Sequence, residues 1–335
     1  MPEELGNTRL GSASSERQNS IGKTAPSHQP PDAHPFSHRM EYLLFKGIQV
    51  IIQVLPLKSV QRLGAGLGSI CYRLVGGRRR VALDNLRYAF PEKDEGQLRQ
   101  IALGAFKNYA TVLLEFLWVP VLANRDIGEI IPPRGMELLN SAAASGKGVI
   151  VVTGHFANWE ITGISAAKAY GGAASIVVQT QNNRLVDAEI NAVRTMLGNK
   201  VVPMGISVRE IIRALANKEL VALAADQSGV QEGPFVEFFG RSVATHQGPA
   251  VFSLRTGAPM VLVLAPRNPD GSYTLVAEEI RTQDLSGATE ENIRTLTQRH
   301  VAALERYIRR YPDQWLWLHR RWKHLDPASH SSDGR

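Results

Sequence analysis

The chain has 335 residues, of which 44% are hydrophobic, and it carries a single cysteine and a formal net charge of +7. This composition supplies a core for one large domain or two, and the lone Cys71 excludes an intrachain disulfide. The basic charge favours an acidic partner such as an anionic membrane surface or an acidic carrier protein. No RNP motif, zinc finger or basic zipper is present, so no nucleic acid partner is expected.

The two ends of the chain are predicted to be disordered tails, at 1–36 and 326–335. The first segment is rich in Ser, Pro, Gln, His and Gly and has no apolar block long enough for a signal peptide. Folded structure is therefore expected between residues 37 and 325.

The region 37–120 is predicted to be helical and associated with a membrane. In 41–57, Leu44, Ile48 and Ile51 share one face of an amphipathic helix. The helix is too short to cross a bilayer and contains Lys46, so we expect it to lie in the membrane interface.

Further helices are predicted at 59–74 and 94–118, separated by a turn at 85–92. Gly64 and Gly68 form a GxxxG pair, which permits close helix approach in a membrane or in a tight core. The run Arg78-Arg79-Arg80 suits phospholipid headgroups, and a solvated charge run explains it equally well.

The pattern then changes to alternating strands and helices over 121–325, which predicts an α/β sheet with helices on both faces. Strands are predicted at 148–153, 174–178, 200–203, 220–225, 259–264 and 273–279. Helices are predicted at 158–170, 183–197, 206–218, 246–256 and 289–310.

His155 and Glu160 lie at the corner between the first strand and its helix. The carboxyl ends of parallel strands are where open α/β sheets bind ligands. A carboxylate there can fix the tautomer of an imidazole, whose other nitrogen then deprotonates a hydroxyl. The alternatives are an ordinary helix-start histidine with a solvated glutamate, or a metal site, for which no second His or Cys cluster exists.

Other polar residues follow later strands. Asp226 and Gln227 follow 220–225 and are expected to face the same crevice, unless Asp226 only forms a turn. Arg184 or Arg194 is a candidate for binding an oxyanion or a phosphate, although both are also explained as surface arginines.

Two aromatic segments are candidate lipid-binding elements. Phe235, Phe238 and Phe239 lie in a predicted loop and either pack beneath it or line an acyl groove. The segment 314–323 combines three tryptophans with basic side chains, among them Arg320 and Arg321, which favours a membrane interface or a phosphorylated ligand.

A covalent intermediate is not expected. The sequence has no G-x-S-x-G elbow, and Cys71 lies in an apolar helix.

Six segments together resemble the bacterial lipid A biosynthesis acyltransferases, the lauroyl and myristoyl transferases, and their lysophospholipid acyltransferase relatives. The resemblance covers about 41–325. It is carried by Asn85-Leu-Arg-Tyr-Ala-Phe-Pro-Glu92, Gly154-His-Phe-Ala-Asn-Trp-Glu160, Ala225-Asp-Gln227, 235–240 with Thr245 and Gly248-Pro249, Arg255-Thr-Gly-Ala-Pro259, and Gln314-Trp-Leu-Trp-Leu-His-Arg-Arg-Trp-Lys323.

This resemblance implies a glycerophosphate-acyltransferase-like αβα sandwich with N-terminal amphipathic anchoring helices, on the cytoplasmic face of the inner membrane. It implies His155 as base, Glu160 as its orienting carboxylate and Arg194, or less directly Arg184, as the downstream arginine. It implies an acyl-carrier-protein thioester as donor and no metal or cofactor.

The function expected is O-acyl transfer to a membrane glycolipid, a lipid A precursor before other acceptors. A lysophospholipid, an amino-acid lipid and a mannosylated phosphoinositide remain as alternative acceptors. A non-enzymatic peripheral lipid-binding protein is the alternative from another class.

Overall fold

A computed structural model describes residues 35–124, 137–171, 174–196, 198–204, 207–229 and 233–325. The predicted tails lie outside the described residues, except that the first helix already begins at Pro35. The predicted domain boundaries stay a prediction.

The described residues form ten α-helices and eight strands. The helices are α1 (Pro35–Gln53), α2 (Leu57–Leu74), α3 (Gly76–Ala89), α4 (Glu95–Trp118), α5 (Glu137–Ala143), α6 (Trp159–Tyr170), α7 (Arg184–Thr195), α8 (Ser207–Ala216), α9 (Gly248–Thr256) and α10 (Glu290–Arg310). The strands are β1 (Val149–Thr153), β2 (Ala174–Val178), β3 (Lys200–Pro203), β4 (Leu220–Ala224), β5 (Phe235–Phe238), β6 (Arg241–Ala244), β7 (Met260–Leu264) and β8 (Val276–Ile280).

Six strands form one sheet in the order β3-β2-β4-β1-β7-β8. All neighbours are parallel except β8, which runs antiparallel to β7 at one edge. This confirms the prediction of an α/β fold with a mostly parallel sheet. Within the sheet, β1 and β4 are central neighbours.

Both faces of this sheet are covered, which explains why β1 shows no alternation of polar and apolar residues. Ile150 and Val152 face a core built with α8, α9 and α10, whereas Val149 and Val151 face a second core that contains residues of α6. All four side chains are buried, as in parallel strands covered on both sides.

The helix α4 connects the N-terminal helices with the sheet. Its contact with α2 depends on glycine, because a Cβ at Gly64 would lie 2.5 Å from the Cα of Thr111, and one at Gly68 would lie 2.5 Å from the Cα of Lys107. The GxxxG pair therefore forms a tight helix contact inside the protein.

One described segment, Glu95–Leu122, is long and apolar enough to cross a membrane, but 67% of its most apolar window is buried inside the protein. Because a core helix passes the same test of length and hydropathy, this segment is weak evidence for a membrane span.

Two local predictions were wrong. Arg78–Arg80 and Asn85 belong to α3, because Ala82, Leu86 and Ala89 recur at helical spacing and are buried. The predicted loop that carries Phe235, Phe238 and Phe239 contains β5, which pairs with β6. Phe239 occupies the turn of this hairpin with φ of 52°, a conformation that a bulky residue rarely adopts, so the sequence did not indicate a hairpin there.

Candidate active site

The site lies where two central parallel strands end side by side. Thr153 at the end of β1 is paired with Ala224 at the end of β4, so the residues that follow the two strands meet. Gly154 permits this approach, because a Cβ there would lie 3.2 Å from the Cβ of Asp226. His155 is thereby brought against Asp226.

Asp226 holds both the ring and the backbone of His155. Its Oδ1 lies 2.9 Å from the imidazole Nδ1, and its Oδ2 accepts hydrogen bonds from the backbone N–H of His155 at 2.8 Å and from the indole N–H of Trp315 at 2.8 Å. The Asp226 side chain is 1% exposed and that of His155 is 24% exposed. The network assigns the Nδ1–H tautomer to the neutral ring, which leaves Nε2 with its lone pair.

The charges of this pair shift both pKa values. Burial lowers the pKa of His155, but the charge and hydrogen bond of Asp226, together with the charge of Glu160, outweigh it and raise that pKa above 6.5. Burial raises the pKa of Asp226, but the His155 charge and the hydrogen bonds to Asp226 outweigh it and lower that pKa below 3.8. Asp226 is therefore ionised at neutral pH.

The sequence indicated Glu160 as the carboxylate partner of the His155 ring. In the structure Asp226 is that partner, and Glu160 contacts Arg194. Glu160 lies in the first turn of α6 and accepts two hydrogen bonds from Arg194 near the end of α7, at 2.6 and 2.9 Å. Both side chains are largely buried, with exposures of 16% and 15%. The helical start at Trp159 directs Glu160 toward α7, whereas Asp226 reaches His155 from the neighbouring strand.

The two candidate arginines lie at opposite ends of α7. Arg184 is the first residue of that helix and is exposed, whereas Arg194 lies in its last turn and lines the cavity beside Glu160. Ten residues of helix separate them by about 15 Å. The geometry therefore brings Arg194, and not Arg184, to the site.

A cavity of about 400 Å³ opens beside His155, a volume within the usual range for small-molecule sites. Gln227 also lines it, with Nε2 3.5 Å from each imidazole nitrogen. Most of the remaining wall is apolar: Ile176, Val177, Val178, Met204, Ile211, Ala222, Leu223, Ala224, Ala225, Pro249 and Phe252.

The phenylalanines expected to form an acyl groove are not among the residues that line this cavity. Phe238 and Phe239 are buried and contact each other in an edge-to-face arrangement with ring centroids 4.8 Å apart. They pack against Trp315, Trp317 and Trp322. Phe235 is half-buried in β5. The alternative of core packing is therefore correct for this segment.

Arg320 and Arg321 point to different environments, and neither lines the cavity beside His155. Arg321 is 1% exposed and donates hydrogen bonds to the carbonyl of Ala244 at 2.8 Å and to the hydroxyl of Thr245 at 2.6 Å. Burial lowers the pKa of Arg321 to about 10. Arg321 thus fastens the C-terminal segment to β6, while Arg320 is exposed.

A buried ion pair contacts the start of α6, next to the turn that carries His155. The carboxylate of Glu115 in α4 is fully buried and accepts two hydrogen bonds from Arg267, at 2.5 and 2.8 Å. It also accepts one from Asn158 at 2.8 Å and one from Tyr273 at 2.5 Å. Asn158 in turn caps α6 by accepting the N–H of Ile161.

Sequence reasoning missed this pair, although an acidic residue inside the apolar run Leu114-Glu115-Phe116 was a visible signal for it. A charge in a buried helix face requires a partner. Because Asn158 lies between His155 and Glu160 in the chain, the ion pair fixes the start of the helix that carries Glu160.

The C-terminal aromatic segment 314–323 contacts the turn that carries His155. Leu316 donates its N–H to the carbonyl of His155 at 3.0 Å, and the N–H of Ala157 bonds the carbonyl of Gln314 at 2.7 Å. Asn108 also donates to the carbonyl of Ala157, whose φ of 47° is unusual for alanine. Two of the segments that carry the family resemblance therefore meet at His155.

No group of three or more His, Cys, Asp or Glu residues able to hold a metal occurs within the described part of the chain. The donors around His155 are instead arranged as hydrogen-bonded pairs.

Comparison with known proteins identifies a family that this chain matches. A family model described as bacterial lipid A biosynthesis acyltransferase matches residues 31–324. The chain is 27% identical to the lipid A biosynthesis lauroyltransferase of Escherichia coli (strain K12) over 296 residues, which cover 85% of this chain and 93% of the relative.

Two further relatives differ in their named activity. The lipid A biosynthesis palmitoleoyltransferase of Escherichia coli (strain K12) is 28% identical over 89% of this chain and 96% of its own length. The phosphatidylinositol mannoside acyltransferase of Mycolicibacterium smegmatis (strain ATCC 700084 / mc(2)155) is 26% identical over 64% of this chain and 70% of its own length.

Proposed function

Because this chain belongs to the bacterial lipid A biosynthesis acyltransferase family, we propose that it transfers a fatty acyl chain from an acyl-carrier-protein thioester to a hydroxyl of a membrane glycolipid, a lipid A precursor. The chain is an acyltransferase, as are its named relatives. The alternative of a non-enzymatic lipid-binding protein is thereby set aside.

His155 is the general base of the proposed reaction. Its Nε2 takes the proton of the acceptor hydroxyl while the oxygen attacks the thioester carbonyl, and the carrier thiolate leaves from the tetrahedral intermediate. The observation that carries this proposal is the hydrogen bond between Nδ1 and the buried carboxylate of Asp226 beside an apolar cavity. Asp226 orients the ring and stabilises the imidazolium, the role expected of Glu160 from the family resemblance.

Glu160 and Arg194 act as a second pair in this mechanism. The two hydrogen bonds between them support a role for Glu160 in holding the guanidinium beside the cavity. From that position Arg194, or a backbone amide at the start of α6, stabilises the oxyanion of the tetrahedral intermediate. Gln227 is proposed to contact the substrate close to His155.

The acyl chain of the donor occupies the apolar cavity between the ends of β2 and β4. The largely apolar walls and the adjacency to His155 support this placement, since ligand sites are mostly apolar with few polar groups that fix orientation. The net charge of +7 suits an acidic carrier protein as the partner that delivers the chain.

The proposed location is the cytoplasmic face of the inner membrane, with α1 and α2 as anchoring helices on a glycerophosphate-acyltransferase-like fold. Lys46 of α1 pairs with Glu189 of α7 at 2.9 Å. The exposed apolar side chains of the two helices support insertion into the interface: Leu43, Leu44, Ile48, Val50, Ile51, Leu63, Leu67, Ile70 and Leu74.

The acceptor is tested with purified protein, an acyl-carrier-protein thioester and a panel of lipids. Thiol release together with acylation of a lipid A precursor is expected. Acylation restricted to a lysophospholipid, an amino-acid lipid or a phosphoinositide mannoside would contradict the proposed acceptor, but it would agree with the proposed enzyme class. A lipid extract from a deletion strain identifies the species that lacks one acyl chain.

A further inference from the structure

One face of α3 is fastened to the segment that covers the active site. Asn85 donates hydrogen bonds to the carbonyls of Trp317 and His319, at 2.7 and 2.6 Å. Arg78 lies seven residues earlier, on the same helix face, and donates from Nη1 to the carbonyl of Leu318 at 3.2 Å. The guanidinium is therefore held against the C-terminal segment whose Leu316 also bonds His155.

The three consecutive arginines have three different environments. Arg79 donates to the carbonyls of Tyr72 and Arg73 at the end of α2, where it has a structural role. Arg80 lines a separate groove together with Arg79 and Arg87. Arg78 is exposed and has no carboxylate within 4.0 Å among the described residues. Its charge is thus available to a ligand.

Aromatic contacts connect Tyr109 of α4 to the ring of His155. Tyr109 stacks on Trp159 with ring centroids 6.2 Å apart, and Trp159 lies 5.1 Å from the ring of His155. Burial raises the pKa of Tyr109, and the charge of Arg78 opposes that rise.

His319 contributes a second polar group at this place. Its Nε2 is buried without a hydrogen-bond partner among the described residues. Burial lowers its pKa, the charge of Asp226 opposes this, and the charges of His155, Arg321 and Arg78 lower the pKa further. Because Arg78 bonds the carbonyl of Leu318, the residue before His319, the guanidinium and this imidazole lie at the same short segment.

We propose that Arg78 binds a phosphate group of one of the two substrates at the mouth of the active site. The inference rests on the proposed function, since phosphopantetheine of the carrier and the headgroup of a lipid A precursor both carry phosphate. A guanidinium suits this group because its planar fork forms two parallel hydrogen bonds to phosphate oxygens. Arg78 is a binding residue in this scheme and takes no part in proton transfer.

The test compares Arg78→Gln and Arg78→Lys with the wild-type chain. Glutamine can still donate to the Leu318 carbonyl, so the fold is retained, and Arg80→Gln is the control for loss of one charge from the same helix. Acyl transfer is measured with acyl-phosphopantetheine and with the phosphate-free thioester of N-acetylcysteamine. The acceptor is a lipid A precursor, used before and after phosphatase treatment.

For Arg78→Gln, KM is expected to rise about tenfold for the substrate whose phosphate is bound, with kcat little changed. The effect should disappear when that substrate lacks its phosphate, which distinguishes donor from acceptor. Arg78→Lys should recover part of the affinity, because it keeps the charge and loses the fork. An equal loss without phosphate, or in Arg80→Gln, would overturn the proposal.

A binding measurement without turnover distinguishes failure of this inference from failure of the proposed function. Tryptophan fluorescence is titrated with 4′-phosphopantetheine and with glucosamine 1-phosphate, each against its dephosphorylated form. Saturation by a phosphate-bearing probe, weakened about tenfold in Arg78→Gln, is expected. Absence of saturation by both probes in the wild-type chain would overturn the proposal, whether or not acyl transfer is detected. Absence of transfer alone would contradict only the proposed function.

Discussion

Oδ1 of Asp226 lies 2.9 Å from Nδ1 of His155, and the two residues are separated by 71 positions in the chain. Glu160, only five positions from His155, is instead held by Arg194. The two carboxylates therefore have different partners, and in the proposed mechanism one orients the base and the other orients a cation. The two roles are distinguished by the following substitutions.

His155→Ala is expected to abolish acyl transfer, and Asp226→Asn to reduce kcat by about 10²-fold or more, as general-base groups contribute about 10²–10⁴-fold. Asparagine keeps the shape of Asp226 and loses the charge that stabilises the imidazolium. Initial rates of thiol release measure the effect, with circular dichroism and vesicle binding as controls for folding and membrane association. Near-normal turnover in His155→Ala would refute the assignment of the base.

The pH dependence of kcat/KM follows from the raised pKa of His155. The neutral ring is the base, so activity should increase as pH rises through a pKa above 6.5. The stabilising contribution of the charged ring has the opposite dependence: it is complete below the unfolded pKa and is lost as pH rises through the folded pKa.

Asp226→Asn removes the charge that raises this pKa, so the acidic limb of the profile should move to lower pH in the variant. The profile is measured with saturating acceptor, and Asp284→Asn, at an exposed ion pair with Arg299, is the control. An unchanged limb in Asp226→Asn would show that the titrating group is not His155.

The Glu160–Arg194 pair should behave as one unit. Glu160→Gln and Arg194→Met are each expected to reduce kcat at least tenfold, because either change leaves the other side chain misplaced beside the cavity. The double variant should lose no more than the worse single variant. Additive losses in this cycle would mean that the two residues act separately.

Chain-length preference should depend on the cavity and not on the phenylalanines of the β5–β6 hairpin. Gly163 of α6 lines the cavity, and a Cβ there would meet only Ile176 at 3.7 Å. Gly163→Leu is expected to place its side chain in the cavity and to shift selectivity toward shorter acyl donors, whereas Gly163→Ala should not. Competition between donors of different length measures this.

Phe238→Ala provides the complementary comparison. Phe238 is buried in the aromatic cluster outside the cavity, so truncation should cost about 3–5 kcal/mol of unfolding free energy without a change in selectivity. A changed chain-length preference in a folded Phe238→Ala variant would show that Phe238 contributes to the acyl-chain site.

Glu115→Gln tests the buried support of the corner. It leaves Arg267 without a counter-charge, and the loss of one partner of a buried pair costs about 3–5 kcal/mol. A lower denaturant midpoint is expected. Glu95→Gln at the exposed pair with Arg87 should leave the midpoint unchanged. A midpoint for Glu115→Gln equal to that of the wild type would show that Asn158 and Tyr273 suffice to hold the corner.

The sequence by itself determined the class of fold and the position of the residue proposed as the base. The apolar run before Gly154 shows no alternation with polar residues, which indicated a strand covered on both faces. The structure shows that β1 is covered on both faces. His155, Asp226 and Gln227 each follow the carboxyl end of a predicted parallel strand. Parallel strands bring these ends to one edge of the sheet, which indicated that the three residues share a crevice. These inferences hold because they depend on local periodicity and on a rule common to parallel sheets.

Only the tertiary structure decided which groups pair. The five-residue separation of His155 and Glu160 favoured a contact between them, but strand order placed Asp226 closer and the start of α6 turned Glu160 toward Arg194. Phe238 and Phe239 were equally ambiguous, since an aromatic residue that binds an acyl chain and one that fills a core have the same sequence signature. Partner choice depends on distances between distant segments, and a linear pattern carries no information about those distances until the strands are ordered.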